Sequence, residues 1–187
     1  MLLWLLMNIY KNIVKFFRKN KYEYYFGFGA DSETAMIESI IGRKPEYIGP
    51  AILKNYQLCI QNLDDISTYG ANPREILRKA WGDNFKSYTI RQHKNESLSG
   101  SIFKITSYER KMLDAWELVP EGWQKSVKVK AVAKDGKTYF ARTQCLPMGH
   151  DHGYTTSGTN YNPWLMPKKD FMRIASNDSK RYESYVY

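Results

Sequence analysis

Residues Gly100–Leu146 read GSIFKITSYERKMLDAWELVPEGWQKSVKVKAVAKDGKTYFARTQCL, and this stretch decides the fold. Apolar and polar side chains alternate at its start, which predicts a half-buried strand over Leu98–Thr106. The segment SYERKMLDAWEL predicts a helix, with Ser107 as the candidate N-cap residue. After the turn VPEG, two strand-like runs flank Asp135-Gly136, a dipeptide typical of tight β-hairpins. The predicted order is therefore strand, helix, turn and hairpin.

The chain before this stretch predicts a further strand and a glycine-bearing turn. Aromatic residues dominate Tyr22–Phe28, as is typical of strands. The turn that follows, Gly27–Ser32, can present backbone N–H groups to an anion. We expect Asp31 to cap a short helix, SETAMIESIIG, that ends at Gly42.

The middle of the chain has a weaker pattern. The segment Gly49–Leu63 predicts either a strand pair that turns at Lys54-Asn55 or one long bent strand. Residues 64–96 are polar and are predicted to be irregular, apart from a helix over Pro73–Trp81 that begins with proline. The chain after Pro147 is rich in loops until PKKDFMRIASNDSKRYESY, which predicts a final helix.

Strands that recur with only short helices between them favour the α+β class. We predict a single compact domain with a small mixed, barrel-like β-sheet flanked by short helices. The chain has 187 residues, 43% of them hydrophobic, which is enough for one well-packed core. This domain is predicted to span residues 21–187, after an N-terminal amphipathic helical extension over residues 1–20.

The extension begins MLLWLLMNIYKNIVKFF, in which polar side chains recur at helical spacing and form one stripe. Its uninterrupted apolar run, Met1–Met7, is too short to span a bilayer. It also lacks the basic start and small-residue cleavage site of a signal peptide. Three interpretations remain open: a helix packed on the domain, an anchor that binds a membrane surface through residues 1–17, or an upstream extension with the working start at Met7.

The formal charge of +9 raises the question of nucleic-acid binding. The lysine and arginine residues are scattered, however, and no zinc-finger, RNA-recognition or helix-turn-helix pattern accompanies them. A solvated basic surface is therefore favoured over a nucleic-acid site, and attraction to an acidic partner stays open.

Cysteine and histidine usage predicts neither disulfides nor a metal site. Cys59 and Cys145 lie in apolar, strand-like contexts and are expected to be core thiols, so we expect a reducing compartment, the cytoplasm. The segment GHDHGY contains His150, Asp151 and His152, but no distal cysteine or acidic cluster completes a set of ligands.

The order of these motifs resembles the gamma-glutamylcyclotransferase-like (AIG2-like) family. The segments that carry the resemblance are FGFGADS, GPAILKNYQLCI and the long stretch from GSIFKIT to TQCL. The resemblance covers roughly residues 22–146, and the predicted last helix resembles the C-terminal helix of the family. The segment around LDAWE is more specific than the loop, because GSIFKIT, LDAWE and VKVKAVAKDG keep both their order and their spacing.

The resemblance implies that Glu117 is a catalytic general acid/base and that the substrate is a small gamma-glutamyl amide. The substrate's own α-amine attacks its γ-carbonyl, which releases 5-oxoproline and an amine without a metal or organic cofactor. The substrate-binding residues implied are Phe28, Gly29, Ala30, Asp31, Ser32 and Trp123. Apolar neighbours, with Trp116, Leu118 and Trp123 as candidates, would raise the pKa of Glu117 toward the range of a general base.

The chain differs from the family pattern at three of these positions. Ala30 replaces a serine, Asp31 replaces asparagine or threonine, and Leu118 replaces a glycine. An acid at position 31 would repel a substrate carboxylate unless it caps the following helix. Two other functions therefore remain open: a non-catalytic module that binds a small ligand on the same fold, and a basic protein that binds nucleic acid or a membrane surface.

Overall fold

The computed structural model describes residues 21–149 and 152–184, with side chains up to residue 177. The predicted extension over residues 1–20, its boundary with the domain, and His150 and Asp151 of the GHDHGY segment lie outside the described residues. Among the described residues, no helix is both long and apolar enough to cross a membrane.

A closed, mixed β-barrel of five strands is the centre of the fold. The order around the barrel is β3-β1-β5-β4-β2, and pairing of β2 with β3 closes it, while β6 adds to β2. The β1–β5 pair is parallel and the other pairs are antiparallel. The strands are β1 (Tyr22–Gly27), β2 (Glu46–Asn62), β3 (Lys86–Thr106), β4 (Lys125–Ala133), β5 (Thr138–Cys145) and β6 (Tyr154–Thr155). This architecture confirms the predicted α+β domain.

In the described part of the chain four α-helices pack around the barrel, and the buried apolar residues form three clusters. The helices are α1 (Thr34–Ile41), α2 (Pro73–Trp81), α3 (Ser107–Trp116) and α4 (Lys168–Ser184). The barrel core contains Phe26, Leu53, Ile90, Ile102 and Ala131. A helix layer joins α1, α3 and α4 to the outside of the barrel through Tyr25, Ile37, Phe103, Leu113 and Phe171. A third group, the pocket cluster, contains Leu63, Ile66, Leu77, Phe85, Leu118 and Trp123.

The prediction that residues 64–96 are irregular was wrong for residues 86–96. These residues form the first half of β3. This half pairs with β2 from Tyr56 to Asn62. Its residues from Arg91 to Glu96 are polar and mostly exposed, so the sequence showed no alternation there. β2 itself is one long strand, and Asn55, at a φ of 63°, forms an irregularity within it rather than a hairpin turn.

Both predicted N-cap residues, Asp31 and Ser107, were wrong, whereas the predicted end of the first helix at Gly42 is confirmed. Helix α1 begins at Thr34 with Glu33 at the N-cap position, and no side chain caps it. Asp31 instead lies in a 3₁₀ turn over Gly29–Ser32 and is buried. For α3 the cap is Thr106, one residue before the predicted one, which forms a reciprocal capping box with Glu109.

The 3₁₀ turn is fixed in place by close packing and by one tyrosine. A Cβ atom at Gly27 would lie 2.0 Å from the backbone oxygen of Asp31, so only glycine permits this approach. The hydroxyl of Tyr161 accepts from the Gly29 N–H at 3.0 Å and donates to the Ser99 carbonyl oxygen at 2.8 Å. Tyr161 therefore ties the turn to β3.

The chain leaves α3 through an unusual backbone conformation at Leu118. This residue has a φ of 49°, in the left-handed region, and its side chain is buried in the pocket cluster. The Trp123 N–H donates to the Leu118 carbonyl oxygen at 3.1 Å and closes the turn that follows. Glycine occupies such positions without steric cost, whereas leucine does not. The backbone is thus glycine-like at the position where the resemblance implies glycine.

We predict that Tyr161→Phe lowers the free energy of unfolding by about 1–3 kcal/mol, because a buried N–H and a carbonyl oxygen lose their partner. Urea denaturation measures this change. The matched control is Tyr154→Phe, because Tyr154 is 50% exposed, and it is expected to stay within about 0.5 kcal/mol of wild type. Equal stabilities of the two variants would contradict the anchoring role of Tyr161.

At position 118 we predict that Leu118→Gly is more stable than Leu118→Ala by about 1 kcal/mol, because alanine keeps the left-handed strain. Both variants should be less stable than wild type, since losing a buried leucine side chain costs about 2–5 kcal/mol. At Leu113, which lies within α3, we expect the alanine variant to be more stable than the glycine variant. The reason is that glycine lowers helix stability by about 1 kcal/mol relative to alanine. The same order at both positions in urea denaturation would exclude strain at Leu118.

Candidate active site

A small cavity of about 60 Å³ lies between the 3₁₀ turn, the end of α3 and one face of α2. Among the sequence-predicted residues, the cavity wall brings together Phe28, Gly29, Ala30, Asp31, Glu117 and Trp123. Ser32 is the exception. Its hydroxyl donates to the Gly29 carbonyl oxygen at 2.7 Å, and its side chain lies in a neighbouring groove on the other side of the turn.

Glu117 is placed in the cavity by the end of α3, where it is the C-cap residue. One carboxylate oxygen, Oε2, accepts a hydrogen bond from the side-chain amide of Gln124. Burial raises the pKa of Glu117 well above its usual value, and the nearby charges of Asp31 and Asp114 raise it further. A raised pKa makes the carboxylate a stronger base, which suits a group that removes and returns a proton.

Asp31 is the second acid of the cavity, and its side chain points inward rather than toward α1. The residue is 5% exposed. Its Oδ2 atom lies 2.9 Å from the Tyr25 hydroxyl oxygen. Burial raises the pKa of Asp31 to about 7, although the hydrogen bond to Tyr25 lowers it in part.

Behind the two acids runs a chain of hydrogen bonds that the sequence did not predict. The Tyr25 hydroxyl oxygen lies 2.9 Å from Gln144 Oε1, and Gln144 Nε2 donates to Asp114 Oδ1 at 2.8 Å. The other oxygen of Asp114 forms an ion pair with Arg110, which also bonds Glu23 at 3.0 Å. The sequence did contain a signal for part of this chain of hydrogen bonds. Residues three or four apart share one helix face, so the spacing of Arg110, Asp114 and Glu117 predicts that they lie on one side of α3 and its end.

Aromatic and aliphatic side chains form the rest of the wall. Trp123 donates its Nε1–H to Gln61 Oε1 at 2.9 Å, which fixes the indole ring. Of the expected apolar neighbours of Glu117, all three line the cavity: Trp116, Leu118 and Trp123. Helix α2 adds Ile76, Leu77, Ala80 and Trp81, for which the sequence had indicated no role. No lysine, arginine or histidine is among the described residues that line this cavity.

The chemistry available in the cavity is therefore proton transfer. The carboxyl groups of Asp31, which is buried, and Glu117, which is partly buried, both face this small cavity, and a low dielectric there strengthens electrostatic effects. In the described ranges, 21–149 and 152–184, no group of three or more His, Cys, Asp and Glu residues could hold a metal ion.

Comparison with known proteins was informative only at the level of structure. No protein-family model matches the chain, and no curated protein matches it by sequence. A solved structure described as gamma-glutamyl cyclotransferase superposes with a TM-score of 0.56 at 15% identity, over 89% of this chain and 86% of that one. The uncharacterized human protein loc79017 superposes with a TM-score of 0.55 at 16% identity, over 89% and 87% of the two chains.

A third structure, of an Arabidopsis thaliana protein, has a TM-score of 0.50 at 15% identity and covers 88% of this chain and 89% of that one. These similarities span most of the barrel and helices described above, and at such identities they concern the fold. The chain has the gamma-glutamylcyclotransferase-like fold.

Proposed function

We propose that the chain is an enzyme that cleaves a gamma-glutamyl amide and releases 5-oxoproline and an amine. The observation that carries this proposal is the position of Glu117, a partly buried carboxyl group with a raised pKa, in a cavity whose wall includes the turn Phe28–Asp31. The fold is that of a solved structure described as gamma-glutamyl cyclotransferase, which supports the same chemistry.

In the proposed reaction Glu117 removes a proton from the substrate α-ammonium group. The free amine then attacks the γ-carbonyl carbon and forms the new C–N bond of the five-membered ring. Glu117 returns the proton to the departing amine nitrogen as the original amide bond breaks. The ring nitrogen gives up its second proton to the released amine, which leaves as an ammonium ion, so protons and charges balance. One acid/base group is enough, because the nucleophile belongs to the substrate and the protein supplies orientation and proton transfer.

The turn holds the substrate in this proposal. The amide groups of Gly29 and Asp31 already donate to Tyr161 and to the Phe28 carbonyl oxygen, so they maintain the turn itself. We assign the contact with the developing oxyanion to the Ala30 N–H, because Ala30 also lines the cavity. Trp123, held by Gln61, would pack against the substrate.

A second candidate function is binding of single-stranded nucleic acid, and it rests on a different surface. A groove of about 740 Å³ on the barrel is lined by Lys54, His93, Lys94, Lys128 and Lys130. None of these lysines forms an ion pair with another described residue. Unneutralised cations in a groove attract phosphates. Salt-independent or undetectable binding of an RNA oligonucleotide would exclude this function.

The proposed reaction is tested by incubating the protein with a panel of gamma-glutamyl amides and detecting 5-oxoproline by mass spectrometry. We predict that Glu117→Gln remains folded but loses turnover by about a hundredfold or more, the scale of lost general acid/base catalysis. The amide oxygen of glutamine can still accept from Gln124, so packing should change little.

The matched control is Glu38→Gln, the same substitution at an exposed position on α1, which should turn over at the wild-type rate. Wild-type turnover in a folded Glu117→Gln variant would exclude Glu117 as the acid/base. Absence of 5-oxoproline with every substrate, together with measurable ligand binding, would instead support a non-catalytic binding module.

A further inference from the structure

The Tyr25 hydroxyl group lies between two oxygen atoms that both require a proton. Its oxygen is 2.9 Å from Asp31 Oδ2 and 2.9 Å from Gln144 Oε1. A phenol carries only one proton and can donate only one hydrogen bond. Tyr25 can therefore donate to only one of these two oxygen atoms. In the other contact the proton must come from Asp31 or Gln144, and Tyr25 accepts it.

The orientation of Gln144 decides which contact this is. Gln144 Nε2 donates to Asp114 Oδ1 at 2.8 Å. Asp114 is paired with Arg110 through its other oxygen and is therefore an ionised acceptor. The Gln144 amide cannot rotate without placing its own oxygen against that carboxylate. Gln144 Oε1 thus faces Tyr25, has no proton of its own, and must accept the Tyr25 proton.

The remaining contact, between Asp31 and Tyr25, then needs a proton from Asp31. If Asp31 were ionised, two oxygen atoms without a proton between them would lie 2.9 Å apart in a buried site. We propose that Asp31 is a neutral carboxyl group that donates its proton to Tyr25, and that its neutrality lets the cavity accept a ligand with a carboxylate group. The second part of this proposal rests on the proposed function, in which the substrate carries a carboxylate.

The surroundings of Asp31 are consistent with a bound proton. The side chain is buried, and burial raises its pKa to about 7. The titratable groups that face the two acids are Tyr25 on β1, Asp114 and Glu117 on α3 and its end, and Tyr88 on β3. None of them is a cation, and Arg110 is committed to Asp114 and Glu23.

A neutral Asp31 has two consequences for the cavity. It removes one of the two like charges that raise the pKa of Glu117, so the carboxylate form that acts as the base is less disfavoured, although burial and the charge of Asp114 still raise this pKa. It also gives Asp31 the same charge as the uncharged asparagine or threonine that the resemblance implies at this position. Asp31 is thus a specificity-determining residue whose effect depends on pH.

The proton can be observed without any catalytic activity. We expect an infrared band of a protonated carboxyl group below about pH 7 that Asp31→Asn removes and that Glu117→Gln leaves in place. Wild-type protein labelled at aspartate carboxyl carbons should show one aspartate that titrates near pH 7 by NMR, a measurement that needs no variant. Titration of every aspartate near its usual pKa of about 4 would overturn the proposal.

Stability provides a second readout. A pKa raised to about 7 in the folded state means that the stability contributed by the neutral form is present below the unfolded pKa and is lost as pH rises toward 7. Between about pH 4 and about pH 7, the urea midpoint of wild type should therefore fall relative to that of Asp31→Asn. Parallel curves for the two proteins would contradict a bound proton on Asp31.

Kinetics test the specificity claim separately. Above about pH 7 the wild-type KM should increase toward about tenfold per pH unit, because only the protein with neutral Asp31 binds the carboxylate. In Asp31→Asn the KM should lose this dependence. A KM with the same pH dependence in both proteins would overturn the specificity role. Absence of 5-oxoproline with the carboxyl band present would count against the proposed reaction and leave the protonation of Asp31 standing.

Discussion

Pairing of β2 with β3 is the constraint on which the rest of the structure depends. The two strands pair from Glu46–Lys104 to Asn62–Lys86, with register shifts near Ile48 and Asn55. This pairing closes the barrel. Pairing of β3 with β1 on its other side sets Ser101 opposite Gly27 and brings Gly100 to the end of β1, where an added Cβ atom would lie 2.3 Å from the Gly27 carbonyl oxygen. The chain must therefore turn immediately after β1, and the turn forms one wall of the cavity.

The second wall depends on how α3 ends. The helix presents Arg110, Asp114 and Glu117 on one side, and the left-handed backbone at Leu118 then redirects the chain toward Trp123. Leu118 fills the pocket cluster with its side chain while its backbone adopts a conformation that favours glycine. Burial of a large apolar side chain offsets this strain, because it contributes about 2–5 kcal/mol against about 1–2 kcal/mol for the strained backbone.

Electrostatics then decide what the cavity can do. Burying an ionised carboxylate is costly unless a partner compensates. Of the three acids in or behind the cavity, Asp31, Asp114 and Glu117, Asp114 alone forms an ion pair with an arginine in the described part of the chain. Asp31 and Glu117 have uncharged partners, Tyr25 and Gln124. Both acids therefore have raised pKa values, so each carboxyl group binds a proton more tightly than an ordinary surface acid does. A site of this kind suits proton transfer better than binding of a permanent cation or a metal.

Local patterns in the sequence determined most of the secondary structure and the position of Glu117. Aromatic residues marked β1, and alternation with a period of two marked the second half of β3. Two strand-like runs around Asp135-Gly136 marked the hairpin of β4 and β5. These signals are local because side-chain direction along a strand or helix follows from its own geometry. The fold class followed from the order of these elements.

Tertiary structure alone decided the partners of Asp31. In the sequence, an acid just before a short helix is typical of an N-cap. In the structure Asp31 instead contacts the buried Tyr25, which also contacts Gln144, 119 residues further along the chain. The same holds for the first half of β3 and for α2, whose sequences carry no signal of the strand or cavity that they complete. Contacts between distant residues depend on how the barrel closes, and no local pattern records that closure.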